Sequence, residues 1–378
     1  MTYRHRCLLP FHHIAIRPND QVYPCCQFRW KNTPEDLNLN HDDVFNHPFM
    51  QQLRDQVIND EYIEGCSMCY QQEQLSNGTD SMRLHFIKNL GTEIPKTPVL
   101  THVDLALSNV CNNKCRMCNP DLSTSWYADA KKLGEEFFPP IKHSGIKKSK
   151  DILEQYDLSQ LRYLKLIGGE PLMEEAKFIN LLKRCDLPKL KVLLTTNTTL
   201  IPSDELYALL KQCGSVWVNL SVDAFGELNS FLRKGSKWNN VVKVMDWFNE
   251  NVGGRTTVHG VISIYNVNNF YLLDEFIKER YGNKINVEWQ MVDGPNWMQP
   301  ANLPQHAKDQ ILLILREKVS ESTFSMIESE FKNTGDIDLF LNKDAKLNEV
   351  RVEDWRLVNL DLQKLINPCI ENNIQTDV

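Results

Sequence analysis

Residues 103–118 read Val103-Asp104-Leu105-Ala106-Leu107-Ser108-Asn109-Val110-Cys111-Asn112-Asn113-Lys114-Cys115-Arg116-Met117-Cys118. An apolar stretch of strand length runs into three cysteines spaced CxxxCxxC. Such a loop can wrap one corner of an iron-sulfur cube, each thiolate taking one iron while the fourth iron keeps no protein ligand. Electron-transfer clusters are held by four cysteines. An open coordination position separates a reactive metal site from a closed structural one, so this loop points to a centre that binds something further.

Outward from this stretch, apolar runs rich in β-branched residues alternate with segments of helical period. The runs are Thr101 to Leu107, Tyr163 to Ile167, Lys191 to Thr195, Val216 to Val222, Thr257 to Ile264 and Ile285 to Met291. Between them, apolar residues recur three and four apart in Glu174 to Arg184, Ser203 to Gln212, Asn239 to Asn249 and Asn269 to Glu279. This alternation is the signature of βαβ units and a parallel sheet. Six consecutive units favour a barrel-like curl, with right-handed crossovers bringing the C-terminal strand ends to one rim. The expected fold is α/β, a partial (β/α)6 TIM-like barrel over 99–292. A small cysteine-rich α+β module (1–98) precedes it and a helical C-terminal extension (293–378) follows.

The chain has 378 residues, enough for more than one core. With 42 basic against 49 acidic residues its formal net charge is -7, which offers no general attraction to a polyanion, and nucleic acid is not an expected partner. Met1 to Asp20 lacks the apolar core of a signal peptide, and nowhere do eighteen apolar residues run together. No membrane partner is expected and the protein is read as cytoplasmic.

The eleven cysteines are too clustered for a secreted disulfide framework. In the front module, His13 to Arg17 and Gln21 to Tyr23 flank the turn Pro18-Asn19-Asp20, and Asp43 to Val57 has a helical pattern. Here Cys7, Cys25, Cys26, Cys66 and Cys69 supply at least the four thiolates that close a metal site. Cys7, Cys25, Cys66 and Cys69 are the expected ligands, with Cys26 the alternate at the second position. Four thiolates with one CxxC also suit zinc. Cys185, Cys213 and Cys369 stand alone and are read as packing residues. Gln71 to Arg83 is read as a polar connector. Trp289 and Trp297 either line the mouth of the barrel or belong to its core.

The cysteine loop, followed by Gly168-Gly169-Glu170-Pro171 after the second strand, resembles the radical S-adenosylmethionine (SAM) superfamily. The string Ile16 to Cys26, with the late Cys66-Ser67-Met68-Cys69, resembles the SPASM and twitch modules that carry auxiliary 4Fe-4S clusters in such enzymes. Those modules normally follow the barrel, and here the cysteines precede it.

The resemblance implies a 4Fe-4S cluster on Cys111, Cys115 and Cys118 that binds SAM, and an auxiliary 4Fe-4S cluster. Gly168, Gly169 and Glu170 would hold the SAM ammonium. Thr196, Asn197, Ser221 and Asp223 match positions for its amino-acid end and ribose; helix N-capping is the alternative for them. Arg233 would clamp the carboxylate, and Met117, Ile264 and Asn266 fall in the adenine zone. The implied reaction is reductive cleavage of SAM to a 5'-deoxyadenosyl radical, which abstracts hydrogen from a peptide, protein or small-molecule substrate. No general acid or base is named. An electron donor such as flavodoxin or ferredoxin is the implied partner. A non-catalytic iron-sulfur or zinc scaffold, or an electron-transfer protein on a barrel, is the alternative from another class.

Overall fold

The computed structural model describes residues 6–18, 21–38, 43–75, 81–91, 93–134, 136–138, 152–252 and 255–367. Cys369, Gly78, Thr92 and the turn residues Asn19 and Asp20 lie outside the described residues.

Among the described residues eight strands form: β1 (His13–Ile16), β2 (Val22–Tyr23), β3 (His102–Ala106), β4 (Tyr163–Ile167), β5 (Lys191–Thr196), β6 (Ser215–Ser221), β7 (Thr256–Ile262) and β8 (Ile285–Met291). Their order in the sheet is β2-β1-β3-β4-β5-β6-β7-β8. The β1–β2 pair is antiparallel, while β1–β3, β3–β4, β4–β5, β6–β7 and β7–β8 are parallel. The sheet is open, with β2 and β8 at its edges. This mostly parallel α/β architecture with helical parts is that of a partial TIM-like barrel. The six expected strands form within one or two residues of their expected ends.

The sheet is longer than those six strands because the front hairpin joins it. His13 pairs with His102 and Ile16 with Leu105. All four residues of β1 are buried, and a strand covered on both faces needs neighbours that its own sequence does not name.

The chain divides into two compact units. The first comprises Met1–Val110, Gly145–Leu194 and Pro202–Val216; the second comprises Cys111–Ser144, Thr195–Ile201 and Trp217–Val378.

In the first unit the helices Pro48–Ile58 and Glu175–Leu182 bury Met50, Leu53 and Val57, and Phe178, Ile179 and Leu182. Ser203 accepts from the Leu206 N–H and so starts the helix Asp204–Leu210.

The second unit has its own core, in which Tyr265, Trp297, Phe340 and Trp355 pack edge to face or stacked. Trp297 is a core residue, and half-buried Trp289 packs on Phe270 and donates to Asp274. Both serve packing. The helix Ile337–Arg351 went unread in the sequence because half of its buried face is polar: Asp344, Asn348 and Arg351 lie inside with Phe340 and Leu347. No helix among the described residues is long and apolar enough to cross a membrane.

Candidate metal centre and ligand cradle

In the second unit the loop Cys111 to Cys118 is clamped by its backbone. The Lys114 and Arg116 N–H groups donate to the carbonyls of Lys234 and Leu232, each at 2.8 Å. Gly235, at φ +113°, permits this approach, since a Cβ there would lie 2.5 Å from the Asn112 carbonyl oxygen. Trp126 Nε1 donates to the Cys115 carbonyl at 2.9 Å, and Ser125 Oγ to that of Cys111 at 2.7 Å. The loop's shape is therefore set before any metal arrives.

Donors also converge on the sulfurs. Cys111 Sγ accepts from the Asn113 N–H at 3.4 Å and from Asn197 Nδ2 at 3.7 Å. Arg233 Nη1 lies 3.8 Å from Cys115 Sγ. Burial pushes the Cys115 thiol up to about 11 and raises Cys118 as well. Iron binds the thiolate, so loading releases protons. N–H groups aimed at sulfur suit the anionic form and are a known means of tuning cluster potential, so these residues fit a thiolate-held cluster.

Arg233 is buried and paired with Asp223, Nε to Oδ2 at 2.7 Å and Nη2 to Oδ1 at 2.9 Å. Asp223 also accepts from the Val261 N–H at 3.0 Å. The two residues expected to meet the carboxylate and ribose of SAM thus meet each other, leaving Nη1 directed at Cys115.

Capping does not explain the polar residues at the strand ends. The helix after β5 is capped by Ser203, and the helix after β6 (Glu227–Leu232) has Gly226 at its cap with no side-chain bond. Instead, Asn197 Nδ2 donates to Asn112 Oδ1 at 2.7 Å and Thr196 Oγ1 accepts from the Thr198 N–H. Asn197 therefore ties the end of β5 to the cysteine loop. Ser221 is half-buried in register with His259. Asn266 is buried, taking Ser263 N–H on Oδ1 and donating from Nδ2 to the Asp223 and Val261 carbonyls. Ile264 is buried in the core, and half-buried Met117 packs against it.

Two cations that sequence reasoning passed over flank Cys115. Lys114 Nζ pairs with Asp129 at 2.7 Å, and Asp129 also takes Arg351 Nε at 2.8 Å. Arg116, fully buried, pairs with Asp344 at 3.1 Å and Glu353 at 3.0 Å, donates to Asn348, and lies 3.7 Å over the Phe231 ring. The only local signal was the alternation of cations with cysteines; every acidic partner of Arg116 is more than two hundred residues away.

In the first unit, Gly168 (φ +77°) and Gly169 (φ +49°) make the turn after β4. A Cβ on Gly169 would stand 2.4 Å from the Val110 carbonyl oxygen, and the Glu170 N–H donates to that same carbonyl at 2.8 Å. Glu170 is buried, and its Oε1 accepts from the Leu172 N–H, so this residue does cap the following 3-10 turn.

The front cysteines also lie in the first unit. Burial pushes Cys7 up to about 12 and raises Cys25, Cys66 and Cys69. Cys25 is raised further by Cys26, Cys7 and Cys66, and Cys66 by Cys7 and Cys69, so these thiols lie within electrostatic reach of one another. Cys26 faces other neighbours. Besides burial, Asp104, Lys165 and Arg17 act on it. Arg83 and Glu73, in the stretch read as a connector, form an ion pair close to Cys69 and Cys7. Among the described residues no three His, Cys, Asp or Glu side chains converge tightly enough to hold a single metal ion.

The model of the radical SAM superfamily matches residues 105–277. No curated protein matches the chain. Among solved structures, anSMEcpe with bound AdoMet is 16% identical, with 56% of this chain and 58% of that one covered and a TM-score of 0.38. Streptococcus suis SuiB bound to S-adenosylmethionine is 19% identical, covering 77% and 61%, at a TM-score of 0.39. SuiB bound to the precursor peptide SuiA is 18% identical, covering 72% and 61%, at 0.39. The chain thus spans under two thirds of the length of these solved relatives.

Proposed function

We propose, on the premise that residues 105–277 make this chain a radical SAM enzyme, that Cys111, Cys115 and Cys118 hold its 4Fe-4S cluster with one iron open to SAM. The observation that carries this reading is the pre-shaped cysteine loop with N–H donors already directed at Cys111 and Cys115 sulfurs. A cluster held there would supply one electron to the SAM sulfonium, the S–C5' bond breaking to leave methionine and a 5'-deoxyadenosyl radical able to take hydrogen from a peptide, protein or small-molecule substrate.

The chain's own residues position and shield. Gly168, Gly169 and Glu170 present backbone and carboxylate to the SAM ammonium; Thr196, Asn197 and Ser221 serve its amino-acid end and ribose, with Asp223 acting through Arg233; Met117, Ile264 and Asn266 serve adenine. Arg233, held by Asp223, keeps its charge beside Cys115 and stabilises the thiolate there. Cys7, Cys25, Cys66 and Cys69 hold an auxiliary 4Fe-4S cluster. Four buried or half-buried thiols in one module, each raised by burial, supply the four thiolates that such a cluster takes. The functional division is a module at 1–98, a barrel at 99–292 and an extension at 293–378. The enzyme works in the cytoplasm, with flavodoxin or ferredoxin as electron donor.

The test is anaerobic reconstitution with iron and sulfide, iron counting, and assay of 5'-deoxyadenosine after dithionite. About eight irons are expected for two cubes. Cys115→Ala should abolish SAM cleavage, and a Cys115→Ala protein that still makes 5'-deoxyadenosine refutes the assignment.

A further inference from the structure

A cavity of about 620 Å³ opens in the first unit, lined by Arg17, Tyr23, Cys26, Phe28, Arg29 and Lys31. Its volume is that of a ligand site. Three cations stand on this wall and, among the described residues, no carboxylate does, in a chain whose formal net charge is -7. Elsewhere, buried cations sit against acids, as Arg116 does with Asp344 and Arg233 with Asp223. Here the hydrogen bonds go to neutral groups. Arg29 Nε donates to Ser67 Oγ at 2.7 Å and its Nη2 to Gln71 Oε1 at 3.2 Å, and Arg17 Nη2 faces the Cys26 carbonyl at 3.4 Å. These contacts orient the guanidinium groups without neutralising them. The buried acid within electrostatic reach of Arg17 and Cys26, Asp104, is shared with His13, whose Nε2 lies 3.4 Å away.

We propose that this cavity binds an acidic segment of a peptide substrate, its carboxylates taken by Arg17, Arg29 and Lys31 and an apolar side chain set against Tyr23 and Phe28. The inference deepens the reading of the chain as a radical SAM enzyme by naming the substrate class. Guanidinium forks match carboxylates, and a positive wall in a concave site focuses its field on an incoming anion. A nucleic acid would call for a basic track following its backbone; the three cations here gather at one cavity. Cys26 is half-buried on its wall and reports occupancy. Of the front cysteines it is the one on this wall among the described residues.

The experiment uses reconstituted holoenzyme under anaerobic conditions. The probe is a fluorescein-labelled peptide of alternating glutamate and phenylalanine; its glutamine counterpart, inorganic phosphate and a short single-stranded RNA are the competitors. Anisotropy reads affinity, and mass mapping reads the rate of Cys26 alkylation by N-ethylmaleimide. The glutamate peptide should bind at least about tenfold more tightly than the glutamine one, and the double variant Arg17→Gln/Lys31→Gln should lose about tenfold, the equivalent of 1.4 kcal/mol. Bound peptide should slow Cys26 alkylation while Cys185 and Cys213 react as before.

Equal binding of the two peptides, unchanged affinity in the double variant, or unslowed Cys26 alkylation would overturn the proposal. So would phosphate or RNA displacing the peptide at equal concentration. If the double variant loses its iron, the glutamate-to-glutamine comparison on the parent protein decides. Failure of the parent to make 5'-deoxyadenosine would overturn the enzymatic reading and leave the binding result standing by itself.

Discussion

Replacing Arg116 by methionine asks whether the cysteine loop is anchored from the far end of the chain. The guanidinium is fully buried, 3.1 Å from Asp344 and 3.0 Å from Glu353, over the ring of Phe231. Methionine keeps most of the stem packing and deletes the charge. Asp344 is then left in the core without its cation, while half-buried Glu353 keeps Lys234 at 3.0 Å. Burial already holds Asp344 above the ordinary carboxylate range while Arg116 pulls it down, so the variant drives it to protonate. Removing one member of a buried pair costs about 3–5 kcal/mol, a large part of a total stability of about 5–15 kcal/mol. At roughly 2 °C per kcal/mol for a large chain, the apparent melting temperature of the reconstituted protein at fixed scan rate should fall by about 6–10 °C. Because Arg116 lies between Cys115 and Cys118, the iron of the barrel cluster should be lost with it, about four of about eight atoms. Adding Asp344→Leu should recover part of the loss, with a coupling of about 2 kcal/mol. A melting temperature within about 2 °C of the parent with full iron would refute the anchoring argument.

Cys25→Ser should cost about four irons and Cys26→Ser none, because the Cys25 thiol is raised by Cys7 and Cys66 whereas Asp104, Lys165 and Arg17 act on Cys26; equal loss in both variants would dismantle the front ligand set. Gly169→Ala puts a side chain at φ +49° and 2.4 Å from the Val110 carbonyl, whereas Gly134→Ala meets only a positive φ with open space around it. The first should destabilise by about 1–3 kcal/mol more than the second and weaken SAM binding, read by melting and equilibrium dialysis; matched losses would remove the close-approach argument. Burial pushes the Asp274 carboxyl up to about 6 from an ordinary 3.8. The folded state therefore holds an extra proton in that window, and the stabilisation is full below the lower value and lost as pH rises through the upper one. Discounted for partial exposure, the change is about 1–2 kcal/mol, and Asp274→Asn should flatten it. Urea midpoints of parent and variant at about pH 4 and about pH 7 decide, and a parent no more pH-dependent than the variant contradicts the burial argument.

What the sequence made legible was what is local. The strands β3 to β8 announce themselves through apolar runs, and the cysteine loop through eight consecutive residues. Helices whose buried face is apolar, such as Trp238–Asn251 with Val241, Val244, Met245 and Phe248, were equally plain. The helix Ile337–Arg351 was not, since Asp344, Asn348 and Arg351 on its inner face look like surface residues until their partners are known. The pairing of β1 with β3 joins residues 13–16 to 102–105, a register that neither segment carries alone. For the strand-end residues, sequence alone left two readings open. The structure removes capping as the explanation for Thr196, Asn197, Ser221 and Asp223 by giving the caps to Ser203 and Gly226, while it gives Glu170 a capping bond as well.

The same difference in range bears on how the two cysteine sets are held. Cys111 to Cys118 spans one loop, so bringing its thiols together costs little chain entropy, and the cost grows only slowly with length in longer loops. Yet the loop is gripped by the most distant contacts in the unit, from Arg116 to Asp344 and Glu353 and from Lys114 through Asp129 to Arg351. Closure alone does not require them. What a three-thiolate site requires is that its fourth corner stay open to a ligand, and a loop free to shift would let a stray side chain reach that corner. Rigid anchoring from outside the loop is the physical counterpart of an open iron. On the proposed assignment the front set has four thiolates, spread from Cys7 to Cys69, and would be closed by its own ligands, so it calls for no more than a folded module around it.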